Sequence, residues 1–302
     1  MSIKYSSDPG MKTVKDNYHF KVALRSWLVF AVCVLLTLIC LVPIIIMLLN
    51  ATRESAAIST AGISFIPGKA LGKNFNSLTT IADFKIQFNA LLGYRNSLII
   101  AASTTVLTTF FSAMTAYGLT VYQYRARSGA YAFILAVMMI PMQVTSTGFV
   151  QFMTKIGLSG SYIPLIIPAI ANPAVIFFMV SYMKSNFPYS IVEAARIDGC
   201  NEFRTFCTIS LPMMKPAVAV QGIFAFVQNW NNYYTQSMIL MSAKSKWKTI
   251  PMMIQALMNN HQKVDYGVNY LAIALSIIPI VIIYLILSKF IIAGVALGGV
   301  KE

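Results

Sequence analysis

Residues 189–212 read YSIVEAARIDGCNEFRTFCTISLP, a polar stretch set between two long uncharged ones. Its skeleton is Glu193-Ala194-Ala195, then Asp198-Gly199, then nine residues to Ile209 and Leu211-Pro212. The local chemistry predicts helix, turn, helix. Asn186 is placed to cap the first helix, with Pro188 in its first turn, where a missing N–H costs nothing. Ile191, Ala194 and Ala195 fall at i, i+3 and i+4, a narrow apolar face whose small residues admit another surface close to the backbone. Glu193 and Arg196 share the neighbouring face. Gly199 stands where a helix ends in the left-handed conformation, which glycine adopts without a Cβ penalty. Asn201 is placed to cap the second helix, with Phe203, Phe206 and Cys207 on its apolar face. Pro212 is expected to stop it.

On either side of this loop the chain is too apolar for a soluble protein. Hydrophobic residues make up 57% of its 302 residues and charged residues only 11%, against roughly 25% charged in soluble domains. Six stretches carry no Asp, Glu, Lys or Arg: 26–51, 96–124, 128–154, 156–183, 216–243 and 266–288. A bilayer core of about 30 Å needs about 20 helical residues, so each is long enough to cross, and none shows the polar stripe of a soluble helix. The expected fold is an all-α polytopic membrane protein. Its six spans lie near 27–49, 97–121, 130–150, 162–183, 216–241 and 268–288, with the loop 184–215 between the fourth and fifth. Pro43, Pro141, Pro164, Pro168, Pro173 and Pro279 fall inside these spans, and three of them in the fourth predict a bent or interrupted helix.

The tail, residues 1–25, is too polar for a secretory signal, and 26–51 is too long for one, so that segment reads as a retained first span with Trp27 at the interface. With the N-terminus cytoplasmic, 13 of the 23 Lys and Arg lie inside, a lean in the direction of the positive-inside rule. The net charge of +14 is spread over both faces. It fits contact with membrane lipid headgroups rather than nucleic acid, since no basic run interleaves with aromatics. Cys33 and Cys40 sit in the first span and Cys200 and Cys207 in the loop, placed neither for a disulfide nor, with His19 and His261, for a metal.

The spacing of residues 193–212 resembles, position for position, the signature of the membrane subunits of ATP-binding-cassette importers. Weaker matches extend along most of the chain: Asn96-Ser97-Leu98, Ala116-Tyr117-Gly118-Leu119, Ile140-Pro141-Met142-Gln143, Gly157-Leu158, Asn229-Trp230-Asn231 and Gly298-Gly299-Val300-Lys301. Together they resemble the carbohydrate-uptake branch, in particular subunits like the smaller permease of maltose transporters. The resemblance implies a cytoplasmic coupling loop whose Glu193, Ala194, Ala195, Asp198, Gly199, Ile209, Leu211 and Pro212 dock on an ATPase. The implied partners are a second, non-identical permease, two ATPase subunits and an extracytoplasmic sugar-binding protein, facing the loop 242–265 with its Met252, Met253 and Met258. It places the protein in a bacterial inner membrane with both termini cytoplasmic. No cofactor is implied for this chain, since ATP and Mg belong to the partner ATPase.

Amides inside hydrocarbon need partners, so Asn229, Trp230, Asn231, Asn232 and Tyr233 are candidates for a sugar pathway, or equally for bonds between helices. Relatives often carry an acidic or bulky residue at Asn232. A membrane enzyme would need clustered His, Asp or Glu within the spans, and a proton-coupled transporter an embedded ionisable group; neither is there. The string from Gly68 to Asn74 is one residue short of a phosphate loop and ends in Asn where Ser or Thr is required. The alternative is an importer permease for a peptide or amino acid, because the coupling signature is shared across importers.

Overall fold

The computed structural model describes residues 9–241, 243, 245–260 and 264–298, and every regular element among them is helical. Before the loop lie α1 (Pro9–Asn50), α2 (Ser55–Ala61), α3 (Leu71–Thr80), α4 (Ala82–Gln87), α5 (Ala90–Val121), α6 (Arg127–Met138), α7 (Met142–Lys155), α8 (Ile163–Ile166) and α9 (Pro173–Asn186). The loop itself holds α10 (Tyr189–Ile197), α11 (Glu202–Thr205) and, after a π-helical turn, α12 (Leu211–Met213). Then come α13 (Lys215–Trp230), α14 (Tyr233–Ile239), α15 (Ile250–Met258) and α16 (Tyr266–Gly298). By contacts the chain divides into two compact units, Met1–Asn74 with Tyr266–Leu271, and Phe75–Asp265 with Ala272–Glu302.

Among the described residues four helical stretches are long and apolar enough to cross a membrane: Phe20–Asn50, Ala82–Val121, Ile163–Asn186 and Tyr266–Ser288. A fifth is reached only if Glu202–Met213 and Lys215–Trp230, bent by 79°, count as one. The expected six spans are therefore not all continuous helices. The third, 130–150, is two helices, and α6 with its 12 residues reaches only about 18 Å. Pro141 is the cause: it cannot donate to the carbonyl of Val137, which takes the N–H of Ile140 instead at 3.1 Å. The fifth, 216–241, stops at Trp230 and resumes at Tyr233. The fourth is interrupted, as its prolines predict. A 3-10 turn at Ile167–Ile170 follows α8, and the side chain of Asn172 accepts from the Val175 N–H to start α9 at Pro173.

In the first unit, the C-terminal end of α1 is tied by amides. Asn50 is fully buried; its Nδ2 donates to the carbonyls of Ile46 (2.7 Å) and Ser64 (3.1 Å), and its Oδ1 accepts from Arg53 Nη1 and the Ser64 N–H. Asn74 donates to the carbonyls of Ala51 and Arg53, both at 2.9 Å. A Cβ on Gly68 would lie 2.5 Å from the Thr52 carbonyl oxygen. The phosphate-loop-like string is thus a packed return strap, and its Lys73 pairs with Glu54 on the surface.

In the second unit, α5 is the central helix. Ile100, Ala101, Thr104, Thr108, Ser112, Ala113 and Ala116, all at most 1% exposed, form one stripe of mostly small side chains along it, which lets α9 and α13 approach closely. Threonines on this stripe satisfy themselves or a neighbour: Thr104 donates to the Ile100 carbonyl and Thr108 to that of Ala169. Further along, Ala113, Ala116 and Tyr117 pack with Val175, Ile176, Met179, Val180 and Met183 of α9, and with Val192 and Phe206 from the loop.

Pro279 lies inside α16, so it cannot donate to the carbonyl four residues back, that of Leu275. Tyr94 supplies the missing donor: its hydroxyl bonds the Leu275 oxygen at 2.7 Å. The adjacent Ser276 carbonyl accepts from Trp230 Nε1 at 3.1 Å. The two donors are stacked, ring centroids 6.3 Å apart, and Phe226 covers the other part of Trp230 at 5.6 Å. Tyr94→Phe should therefore cost about 1–3 kcal/mol, the penalty of a stranded buried carbonyl. In a Pro279→Ala background, where the helix can supply its own N–H, the same substitution should cost much less. Thermal unfolding of the four proteins in detergent measures the difference as a double-mutant cycle.

Candidate functional site: the helical loop and an amide-lined cavity

The loop closes its first helix as the sequence predicts. Gly199 has φ +76°, the Gly199 N–H bonds the Arg196 carbonyl at 3.1 Å, and the Cys200 N–H bonds the Ala195 carbonyl at 3.0 Å. This pair of bonds is a Schellman motif. Asn201 caps α11, its Oδ1 accepting from the Arg204 N–H at 2.8 Å. The opening of the loop differs from expectation. Pro188 occupies the cap position of α10 without a side-chain bond, while Asn186 ends α9 by donating to the Tyr182 carbonyl. Pro212 does not stop the second helix either. A π-turn, with the Leu211 N–H bonded to the Phe206 carbonyl, carries the helix on, and the bend falls at Met214.

The apolar positions divide between two sides of α10. Val192 and Ala195 turn inward, at 0% and 4% exposure, whereas Ile191 and Ala194 face out, with Glu193, Asp198 and Gly199 also exposed. Ile197 (87%) and Phe203 (64%) extend the outer side into an apolar patch. In the second segment Phe206 is buried against Phe110 and Tyr117, Ile209 and Leu211 are half-buried, and Pro212 is exposed.

Charge in the loop converges on Glu202. Its Oε1 accepts from Arg196 Nε at 2.7 Å and its Oε2 from the hydroxyl of Tyr117 at 2.9 Å. Arg196 also donates to the Tyr189 hydroxyl at 3.1 Å, and its guanidinium lies 5.7 Å from the Tyr122 ring centre. The Arg196 hydrogen bond holds the Glu202 carboxyl below the usual carboxylate range. The pair is complete above that range and is lost only as pH falls through the lowered value. Burial, then the Glu202 hydrogen bond, pushes the Tyr122 phenol up. Arg196 and Glu202 lie six residues apart across the Gly199 turn, whereas Tyr117 is 85 residues away, and the sequence paired neither of them with Glu202.

The fifth-span candidates separate around a cavity of about 320 Å³. Asn229 and Asn232 line it with Gln228, Gln236, Asn172 and Ser146, and no ionisable side chain is among its lining residues. Asn172 and Ser146 were not singled out from sequence, because only the breaks in the third and fourth spans bring them here. Asn232 caps α14 by accepting from the Thr235 N–H, and Gln236 donates to the Asn229 carbonyl at 2.7 Å. Trp230 is 1% exposed and bonds the Ser276 carbonyl of α16 instead; Asn231 and Tyr233 are exposed and do not line the cavity. The loop 242–265, described except for 242, 244 and 261–263, is fastened to α5. Asn96 donates to the carbonyls of Lys246 and Lys248, and Ser97 accepts from the Ile250 N–H. Met253 is buried, Met258 exposed. Among the described residues no group of three His, Cys, Asp or Glu could hold a metal.

Apolar helices beside a cavity lined in part by amides, with a helical loop packed against α5 and α9, fit a membrane permease. The chain belongs to the family of binding-protein-dependent transport system inner membrane components, whose model matches residues 108–297. The arabinooligosaccharides transport system permease protein AraQ of Bacillus subtilis is 32% identical, over 88% of this chain and 92% of its own. The trehalose/maltose transport system permease protein MalG of Thermococcus litoralis is 28% identical, over 89% and 94%. In fold the chain matches a subunit of a bacterial ABC transporter involved in import of the acidic polysaccharide alginate, with a TM-score of 0.68 and 22% identity, over 95% of this chain and 99% of that one.

A Cβ at Gly199 would meet nothing within 4 Å, so only backbone strain opposes a side chain there. Gly199→Ala should cost about 1–2 kcal/mol of loop stability, and Gly199→Asn less, since Asn tolerates the left-handed region. Trypsin cleavage rates at Arg196 and Arg204 in membranes should rise in that order: wild type, Asn, Ala.

Proposed function

We propose that this chain is the transmembrane permease subunit of an ATP-driven carbohydrate importer, forming half of the translocation pathway. The observation that carries the substrate class is the cavity: amides and hydroxyls set among apolar residues such as Ile100, Phe149 and Leu165, with no ionisable side chain in its lining. Such a lining suits a neutral polyhydroxylated solute, whereas a peptide or amino acid would leave its ammonium and carboxylate without counter-charges. The relatives named for arabinooligosaccharides and for trehalose and maltose point the same way. Asn229 and Asn232 contact the sugar, Asn231 and Tyr233 stand beyond the cavity's rim, and Trp230 fixes α13 against α16.

The loop is the coupling element. Its outer apolar patch, with Ala194 and Ile197 at the centre, docks on an ATPase subunit, and Glu193, Asp198 and the Gly199 turn set its shape. Ala195, Ile209 and Leu211 support it from within, and Pro212 leads into the bend. ATP with Mg is hydrolysed on that partner, not here. The assembly holds a second, non-identical permease, two ATPase subunits and an extracytoplasmic sugar-binding protein that meets the loop 242–265. The coupling loop and both termini are then cytoplasmic, in a bacterial inner membrane.

The complex purified with its partners and reconstituted with the sugar-binding protein tests this reading. Ala194→Asp, which places a charge in the outer patch, should lower ATPase co-purification or stimulated hydrolysis at least about tenfold, a loss of 1.4 kcal/mol of coupling, with normal membrane insertion. Asn229→Ala with Asn232→Ala should reduce sugar uptake and spare assembly. A transport-active homodimer without ATPase, or full stimulation in Ala194→Asp, would sink the proposal.

A further inference from the structure

We propose that Glu202 is a positioning residue that clamps the coupling helix α10 to the membrane helix α5, so that movement of one carries the other. The inference rests on the reading of α10 as the ATPase-docking element and adds the route by which docking reaches the cavity.

The geometry is specific. One carboxylate gives its two oxygens to two different elements, Oε1 to Arg196 of α10 and Oε2 to Tyr117 of α5. Neither donor is free to follow it. Tyr117 is 3% exposed, its ring held by Phe206 at 5.6 Å and Tyr122 at 6.0 Å. Arg196 is held from two further sides, by the Tyr189 hydroxyl and the face of Tyr122. A charge-assisted hydrogen bond on a side chain so confined fixes a distance. It adds little to fold stability, because about a third of each charged side chain remains exposed (34% and 39%) and solvent screens the pair. Its contribution is geometric.

The helix at the other end of the clamp makes this consequential. From Ala90 to Val121, α5 has no proline and no break, so it moves as one rigid element. Near its outer third, Ile100 lines the amide cavity; near its last turn, Tyr117 holds Glu202. The elements next to it are interrupted, at residues 139–141, 171–172 and 231–232, and each can absorb a displacement at its break. Among the described helices α5 and α13 both run unbroken from the cavity to the loop, α13 as a direct continuation of the chain and α5 through a side-chain contact, and Glu202 is the bond that joins α5 to α10.

The test uses the complete transporter in proteoliposomes, with three readouts: ATPase subunits retained, ATP hydrolysed, and sugar moved per ATP. Tyr117→Phe deletes one oxygen from a buried ring, and Glu202→Gln keeps the size of the side chain while weakening the Arg196 bond. Both should retain ATPase subunits and hydrolysis while sugar moved per ATP falls about fivefold or more. Glu202→Asp should restore part of that ratio relative to Glu202→Gln. The double variant should be little worse than either single one, because both cut the same link. An unchanged ratio in Tyr117→Phe and Glu202→Gln overturns the clamp. So does loss of the ATPase subunits in these variants, which would make Glu202 part of the docking surface alone. A wild-type complex that never binds an ATPase overturns the coupling reading itself, and the two failures are thereby told apart.

Discussion

A backbone N–H or C=O left unpaired in hydrocarbon costs several kcal/mol, and this chain breaks its helices repeatedly where they would cross a membrane. The architecture follows from how each break is repaired. Asn172 and Asn232 restart helices by accepting from the backbone three residues on. Thr108 reaches the Ala169 carbonyl beside the interrupted fourth span, and Gln236 reaches the Asn229 carbonyl across the α13–α14 break. Tyr94 serves the Leu275 carbonyl that Pro279 leaves without a donor, and Trp230 bonds the adjacent carbonyl of Ser276. The polar side chains inside these apolar segments are there first as backbone partners.

The same repairs create the site. Amides that cap broken helices must sit at the breaks, and the breaks of the fourth and fifth spans face one another across a shared space. Capping favours Asp as much as Asn, but a charge inside hydrocarbon is costly, so the polar part of the cavity lining is neutral. A sugar exchanges hydrogen bonds with such groups without demanding a counter-charge. One set of residues therefore holds the fold and offers a polar surface for a neutral solute.

Legibility followed the range of the interactions. Gly199 and Asn201 were readable because helix caps are decided within four residues: the positive φ and the Asn201–Arg204 bond are both present. The interrupted fourth span was readable from its three prolines. Pro212 misled because a π-turn at 206–210 absorbed it, and the bend moved to Met214. Ile191, Ala194 and Ala195 shared a helical face in the sequence, but the core took Val192 with Ala195 and turned Ile191 and Ala194 outward. Which side of a short amphipathic helix is buried depends on what packs against it, here Tyr117 and Phe206.

The sequence by itself determined the class of protein, the family, the place of the loop between two apolar segments and the turn at Gly199. Composition and local spacing carry the class, the loop and the turn without any long-range contact, and the resemblance of residues 193–212 pointed to the family. Only the tertiary structure decided that Trp230 bonds the Ser276 carbonyl 46 residues away, that Asn229 and Asn232 meet Asn172 across a cavity, and that Glu202 joins Arg196 to Tyr117. These are pairings between side chains far apart in the chain. Each is fixed by a requirement a single sequence does not display, that buried polar groups look for partners in three dimensions.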